Sequence, residues 1–381
     1  MNGLPPAPAT KDPAVAIVTT AKGTFFKPLY EALAQSQPAP WRTVLLWPEK
    51  HLSEHPDAAV TPVGANVEIV RVPCAMLGAH AVKQTFLPSR ALWRALSQRN
   101  VRAIIIHEFS PYTLLGLLFG RRRGIPVVVS SEIGKMNAHF FGPRVRAWHA
   151  VWGRFVQGIV ACSPAAHTPL SGRTLPTVAA YHAVDSRIYI PAIRHVDPKS
   201  PVVFCYLGQL IPRKGIDILI QAAARLRSQG NMNFKILLIG SGDTEWARRL
   251  AAEAGLADCV EFTGFLSGAA MRARLAGGDV FVLPTRQDTY AAVVHEAACL
   301  GLPLLISKHA GAADALVKQG VNGFVFDPGN PAELAVRMGE LMEPDLRLRM
   351  GAQSRAIGET FSAHERGRAL WEWLRDRFSL C

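Results

Sequence analysis

The chain has 381 residues, 49% hydrophobic and 19% charged, a balance that excludes a disordered chain and suffices for two or three domains with buried cores. Its formal net charge of +13 is uneven: residues 1–190 carry 20 Lys and Arg against 9 Asp and Glu, whereas residues 191–381 carry 22 against 20. The six cysteines, Cys74, Cys162, Cys205, Cys259, Cys299 and Cys381, show no C-x-x-C spacing, which speaks against a structural zinc site or a disulfide framework and fits a reducing cytoplasm.

The opening MNGLPPAPATKDP has no apolar signal core, and the run Leu114–Phe119 is too short to span a bilayer. The expectation is a cytoplasmic protein without a transmembrane helix. Val15–Thr20 reads as a buried strand, followed by a turn at Ala21–Thr24 and a helical pattern over Phe26–Ala34. Further short apolar runs at Thr43–Trp47, Val67–Val72, Ala103–His107, Pro126–Ser130 and Gly158–Cys162 read as strands, with helical stretches at Arg90–Gln98 and Thr113–Arg121 between them. Alternation of this kind predicts a parallel sheet with right-handed crossovers.

The pattern breaks at Tyr189–Pro201, a polar, proline-containing stretch. A second alternation then begins. Strands are predicted at Val202–Leu207, Phe234–Ile239, Val260–Thr263, Val280–Leu283, Leu304–Ile306 and Gly323–Phe326, and helices at Gly215–Gln229 and Thr244–Ala254. The predicted architecture is α/β: two Rossmann-like, doubly wound domains facing a cleft. The first covers residues 1–190, a linker covers 191–200, and the second covers 201–361. Residues 362–381 form a terminal helix with Ala369, Leu370, Trp373 and Leu374 at helical spacing, either packed locally or crossing back to brace the first domain.

Three loops of the second half suit an anionic ligand, which such sheets bind at the carboxyl ends of their strands. In the first, Tyr206–Gly215, Gly208 permits a tight turn, Pro212 stiffens it, and Arg213 and Lys214 precede a helix. Two cations beside free helical N–H groups make a diphosphate site. The second is Ile239-Gly240-Ser241-Gly242-Asp243, whose glycines admit a ligand to the backbone. In the third, a strand ends at Pro284, Asp288 lies in the loop, and a helix is predicted from about Ala291 to Leu300, capped by Gly301. The amides of Tyr290, Ala291 and Ala292 are its unpaired first-turn donors. Asp288 precedes that anion site and Glu296 lies one turn into the helix on the same side, so two carboxylates are placed to bind sugar hydroxyls.

At these residues the chain resembles the GT-B glycosyltransferases of the group 1, or family four, type. The resemblance rests on two acidic residues with seven between them, Asp288 and Glu296, then Gly301-Leu302-Pro303. It extends to Gly208…Lys214-Gly215, Gly240-Ser241-Gly242, Phe262–Leu266, Gly311–Asp314, Gly320–Pro328, Ala161–Ser163 and His182–Pro191. It implies that Lys214 binds the donor diphosphate, Asp288 contacts the donor sugar, and Glu296 holds the ribose hydroxyls. The Tyr290–Ala292 amides would stabilise the leaving phosphate, and Gly264, Phe265 and Leu266 would receive the nucleobase. The implied reaction is transfer of a sugar from a nucleotide-diphosphate sugar to a glycan or lipid-linked acceptor, with retention at the anomeric centre, in surface polysaccharide or glycolipid assembly. No cofactor and no bound metal are expected. Three positions depart from the pattern: Gln209 stands where arginine is common, Asp288 where glutamate is common, and Ala291 where glycine is common. They keep open two alternatives, a catalytically silent sugar-nucleotide-binding protein and a GT-B sugar-nucleotide epimerase.

Acceptor-side candidates are Gly23, after the first strand, His107 and Glu108, after Ala103–Ile106, and Glu132, after Val127–Ser130, where a histidine is common. Phe140–Phe155 mixes aromatics with Arg144, Arg146 and Arg154, and Arg121–Arg123 adds a basic cluster. These predict a peripheral contact with the anionic inner face of a membrane. Nucleic acid is not expected as a partner, since the basic charge comes without a recognised binding module. A nicotinamide dehydrogenase is disfavoured because no G-x-G-x-x-G follows the first strand.

Overall fold

A computed structural model describes residues 10–20, 23–49, 66–77, 85–192 and 200–380. The turn residues Ala21 and Lys22 and most of the linker segment fall outside the described residues. The chain divides into two compact units: Met1–Ala183 with Ala363–Cys381, and Val184–Ser362. The division falls at Ala183/Val184, ahead of the proline-containing stretch.

The first unit is built on a seven-stranded parallel sheet in the order β3-β2-β1-β6-β7-β8-β9. The strands are β1 (Thr10–Val18), β2 (Arg42–Pro48), β3 (Val67–Val72), β6 (Arg99–His107), β7 (Val127–Ser131), β8 (Gly158–Ala161) and β9 (Thr177–Ala179), while β4 (Met76–Leu77) and β5 (Thr85–Phe86) form a separate small hairpin. Runs such as VAIV and AIII bury both faces of the sheet. Val15, Ile17, Leu45, Trp47 and Ile105 enter one cluster, and Ala14, Ala16, Val18, Ile104 and Ile106 enter the other. A sheet covered on both sides reads in sequence as continuous apolar strands rather than as alternation.

The terminal helix, Ala363–Phe378, belongs to this unit and packs on the helix Gly23–Ser36. Leu370, Trp371 and Leu374 are buried in the first of those clusters. The Trp371 and Trp41 rings meet edge-on at 4.9 Å. Gly367 is required at the crossing, because a Cβ there would lie 2.5 Å from the backbone of Ala32.

The second unit carries a six-stranded parallel sheet in the order β12-β11-β10-β13-β14-β15. Its strands are β10 (Val202–Leu207), β11 (Phe234–Ile239), β12 (Val260–Gly264), β13 (Val280–Leu283), β14 (Leu304–Ser307) and β15 (Gly323–Phe326). Four of these fall on the spans read from the sequence. In both sheets the strand order reverses beside the first strand of the unit, between β1 and β6 and between β10 and β13. Ligands of doubly wound sheets bind at such switch points, outside the carboxyl ends of the strands. Among the described residues no helix is long and apolar enough to cross a membrane.

Candidate functional site

In the second unit, the three loops at the strand ends are laced together through their backbones. Gly208 N–H donates to the Ile239 carbonyl (3.0 Å), Leu210 N–H to Ser241 (2.9 Å), Asp243 N–H to Leu210 (2.9 Å) and Gly240 N–H to Gly264 (3.0 Å). The lacing needs glycine at Gly240, whose φ is +142° and whose Cβ would sit 1.9 Å from the Gly208 carbonyl oxygen. Tyr206 is fully buried beneath the first loop and donates its hydroxyl to the Gln209 carbonyl (2.8 Å), leaving the Gln209 side chain exposed.

Arg213 and Lys214 close a 3-10 turn, Pro212–Lys214, and Gly215 reverses the chain into the helix Ile216–Ser228 with φ +74°. A Cβ on Gly215 would lie 2.0 Å from the Pro284 carbonyl oxygen, so the first and third loops touch at this point. The two cations have different surroundings. Arg213 donates from Nη1 to the Gln287 carbonyl (2.6 Å) and is otherwise exposed. Lys214 is ion-paired to Asp288, both side chains being 14% exposed. The fork of Arg286 holds Asp217 at 2.6 and 2.8 Å and the Pro212 carbonyl at 2.7 Å, which anchors the turn from outside.

Asp288 is set by its main chain: its N–H donates to His309 (3.1 Å), and its carbonyl accepts from Gly311 (3.1 Å). The helix of this loop runs over Ala292–Cys299, one residue later than the sequence predicts, with Ala291 as its N-cap at φ +69°. One of the three expected donors differs from the reading. Tyr290 N–H already donates to Asp288 Oδ1 (3.3 Å), because the carboxylate closes a two-residue turn onto it. The amides of Ala291 and Ala292 precede the first helical acceptor and are the orphan donors of this end. Here a left-handed alanine stands where the backbone is most easily made with glycine.

Glu296 lies half-buried one turn into that helix. Desolvation pushes its carboxyl up to about 7, while the neighbouring Tyr189 phenol and the charge of Arg272 pull it down. Its Oε2 is buried without a hydrogen-bond partner. Tyr189 and Arg272 were not singled out in the sequence, where Tyr189 reads as linker. Gly264 takes φ +72°, which turns Phe265 outward to 74% exposure, with Leu266 half-buried beside it. A large aromatic exposed to that degree is open to a flat partner.

In the first unit the structure brings His107, Glu108 and Glu132 together at the carboxyl ends of β6 and β7. Gly23 is the first residue of the helix Gly23–Ser36. Phe26, in that helix, packs against His107 (4.1 Å between ring centres) and His182 (4.7 Å). Glu132 is clamped through its backbone. Its N–H donates to Glu108 Oε1 (2.7 Å), and its carbonyl accepts from Asn137 Nδ2 (2.9 Å) and Ser163 Oγ (2.8 Å). Its carboxylate meets His182 Nε2 at 2.5 Å. Glu108 adopts φ +50° and also accepts from Ser131 Oγ (2.8 Å), with His149 Nδ1 at 3.7 Å. Burial pushes Glu108 up to about 8 and pushes His107 and His149 down to about 4. In the sequence His182 stands only at the head of the His182–Pro191 match and His149 only within Phe140–Phe155; neither is legible as a partner of these carboxylates, from which they lie about fifty and about forty residues away.

Among the described residues no group of three or more His, Cys, Asp or Glu side chains is arranged to hold a metal ion.

Residues 193–357 match the family model described as "Glycosyl transferases group 1". A D-inositol 3-phosphate glycosyltransferase of Acidothermus cellulolyticus is 29% identical over 171 residues, 42% of this chain and 38% of that protein. A GDP-mannose-dependent alpha-(1-6)-phosphatidylinositol monomannoside mannosyltransferase of Mycolicibacterium smegmatis is 26% identical over 309 residues, 74% of this chain and 79% of that protein. The matched stretch thus spans well under half of the first relative and most of the second. Among solved structures, sucrose-phosphate synthase from Thermosynechococcus elongatus superposes with a TM-score of 0.72 at 17% identity, covering 97% of this chain and all of that one. Anabaena HepE in complex with UDP and glucose gives 0.70 at 18%, covering 96% of this chain and all of that one. At such identities the likeness is one of fold, the GT-B fold.

Proposed function

We propose that this chain, a group 1 glycosyltransferase by the domain in residues 193–357, moves a sugar from a nucleotide-diphosphate sugar to an acceptor hydroxyl with retention of anomeric configuration. The observation that carries the reading is the Lys214–Asp288 pair standing before the N-terminus of the Ala292–Cys299 helix. Breaking the bond between sugar and phosphate leaves positive charge on the sugar and negative charge on the diphosphate. A fixed ammonium and two fixed amide donors stabilise that charge where it grows, more in the transition state than in the bound donor. Asp288 holds the ammonium in place and contacts the donor sugar, and Glu296 takes the ribose hydroxyls. The exposed Phe265 receives the base. The name of one relative and a solved complex of HepE with UDP-glucose supply the first donors to test, GDP-mannose and UDP-glucose.

In the first unit, Glu132 and His182 form the polar face for the acceptor, a glycan or lipid-linked hydroxyl compound. The test is a thermal-shift screen of nucleotide sugars, followed by product analysis with and without acceptors. Transfer abolished by Glu296→Ala, with the product's anomeric configuration read by NMR, supports the reading. Hydrolysis or isomerisation of the donor alone, or no donor binding at all, sinks it.

The helix Pro143–Trp152 supports a peripheral membrane contact. Val145, Trp148 and Val151 are 40–50% exposed beside Arg144 and Arg146. Trp148 is held in that outward pose by its Nε1 donating to the Phe109 carbonyl (2.7 Å). The sequence has no Asp or Glu between Glu132 and Asp185 to oppose an anionic surface. Each basic residue at such a surface contributes ~1 kcal/mol. Arg144→Glu/Arg146→Glu is therefore expected to weaken sedimentation with phosphatidylglycerol vesicles by at least ~10-fold. Unchanged sedimentation, or binding equal on neutral vesicles, removes the contact.

A further inference from the structure

Side chains from four separate stretches of the first unit converge on one residue, Glu132. The strand Val127–Ser131 ends just before it, so its peptide groups leave the sheet ladder and need other partners. Its N–H donates to Glu108 Oε1 (2.7 Å), which follows the neighbouring strand Arg99–His107. Its carbonyl uses both lone pairs, accepting from Asn137 Nδ2 (2.9 Å) in its own loop and from Ser163 Oγ (2.8 Å) beyond the strand Gly158–Ala161. His182 Nε2, beyond the strand Thr177–Ala179, meets the carboxylate at 2.5 Å. Asn137 and Ser163 are themselves buried. Asn137 Oδ1 also accepts from Gly134 N–H (2.9 Å), so one amide brackets the loop at two points. The loop is pressed on the turn Pro164–His167: a Cβ on Gly134 would lie 1.7 Å from the Ala165 carbonyl oxygen, and Lys135 N–H donates to the Thr168 carbonyl (2.7 Å).

We propose that Asn137 and Ser163 are positioning residues for the acceptor: their side chains fix the Glu132 peptide so that its carboxylate is held at His182 and presented to the acceptor hydroxyl. The inference rests on the acceptor reading above and gives a role to Ala161-Cys162-Ser163, a motif that the donor site does not use. A carbonyl that only needed pairing would be satisfied by one donor from its own turn, as Asn137 supplies. The second donor, Ser163, comes from 31 residues away in the sequence. Its effect is geometric. The N–H of Glu132 belongs to the peptide before its Cα and the carbonyl to the peptide after it. With Glu108 holding the first and Asn137 and Ser163 the second, both flanking peptides are fixed and with them the direction of the Cα–Cβ bond. A carboxylate carried on such a fixed stem loses little freedom on meeting a hydroxyl, which favours binding and alignment of the acceptor.

Two variants of the full chain test this. Asn137→Asp keeps the shape and the acceptor for Gly134 N–H but replaces the donor to Glu132 by a second acceptor, and Ser163→Ala removes only a hydroxyl. With the histidines isotope-labelled, the imidazole proton between His182 and Glu132 is identified by NMR as the downfield signal lost in Glu132→Ala. It is expected to move upfield in both variants. With n-octyl α-D-mannopyranoside as acceptor and the donor found in the screen, kcat/KM for the acceptor is expected to fall about fivefold in Ser163→Ala and about tenfold in Asn137→Asp, with the donor KM unchanged. In a Glu132→Ala background neither substitution lowers it further, because both act through that carboxylate. An unmoved imidazole signal in both variants overturns the proposal. So does a loss that persists in the Glu132→Ala background or falls equally on the donor, since either marks a merely structural role. Glu132→Ala with unchanged acceptor kinetics overturns the acceptor reading itself, an outcome separate from silent Asn137→Asp and Ser163→Ala beside a damaging Glu132→Ala.

Discussion

Lys214→Ala is expected to lower kcat/KM for the nucleotide sugar by ~10²–10³-fold, the loss typical of removing one fixed donor from a developing oxyanion. Two effects combine. On the proposed donor reading the variant deletes the cation that meets the diphosphate, and it leaves the Asp288 carboxylate, 14% exposed, without its ion-pair partner. An uncompensated carboxylate beside the phosphates then repels them, which a uniform loss of affinity does not capture. The second effect is separable. In Lys214→Ala/Asp288→Asn the orphaned charge is gone, so the double variant loses less than the two single losses added together. Lys214→Arg restores charge but not shape, because a planar fork replaces a point charge on a flexible stem, and it recovers only part of the rate. Initial rates over a range of donor concentrations give the cycle. Additive losses in the double variant mean that the ion pair does not act as a unit.

The second unit was the more legible half because its chemistry is written in local spacing. Gly215, Gly240 and Lys214 mark backbone turns and a charge within a few residues of a strand end, and the strands Val202–Leu207 and Phe234–Ile239 needed only their apolar runs. Ala291 shows a limit of such reading. An alanine there suggests a restricted backbone, yet the loop holds it at φ +69°, because Gly311 and Ala312 pin the carbonyls of Asp288 and Tyr290 on either side. Tertiary contacts override the local preference at that position and store strain beside the site. Tyr189 was not legible for a different reason. Its neighbour Glu296 is more than one hundred residues away, and a polar, proline-containing stretch gives no periodic signal. The helices Pro331–Glu340 and Pro344–Thr360 were missed although Asn330 and Glu343 cap them before a proline, signals that stand in the sequence.

Glu108 makes the sharpest prediction about stability. Glu108→Ala is expected to destabilise the first unit by about 3 kcal/mol, since the Glu132 amide and the Ser131 hydroxyl both lose their acceptor in a largely buried place. Glu108→Gln keeps a group of the same size that can accept from one and donate to the other, and its cost is small by comparison. The two also separate by pH. Burial raises the Glu108 carboxyl from 4.5 to about 8, so the folded unit binds this proton more tightly than the unfolded chain does. That contribution is complete below pH 4.5 and is lost as pH rises through 8. Burial lowers His107 and His149 from 6.5 to about 4, so their contribution is present above 6.5 and is lost as pH falls toward 4. The windows overlap only in acid. Between pH 6.5 and 8 Glu108 lowers stability without an opposing slope from these histidines, and the Glu296 carboxyl, raised by burial to about 7, adds a smaller fall of the same sign. Thermal melts across that interval should therefore show the wild type losing stability with rising pH more steeply than Glu108→Gln, which keeps only the smaller slope. Parallel curves for the two proteins would mean that Glu108 is already ionised in the folded state, and that the clamp on Glu132 is made by a carboxylate rather than by a neutral acid.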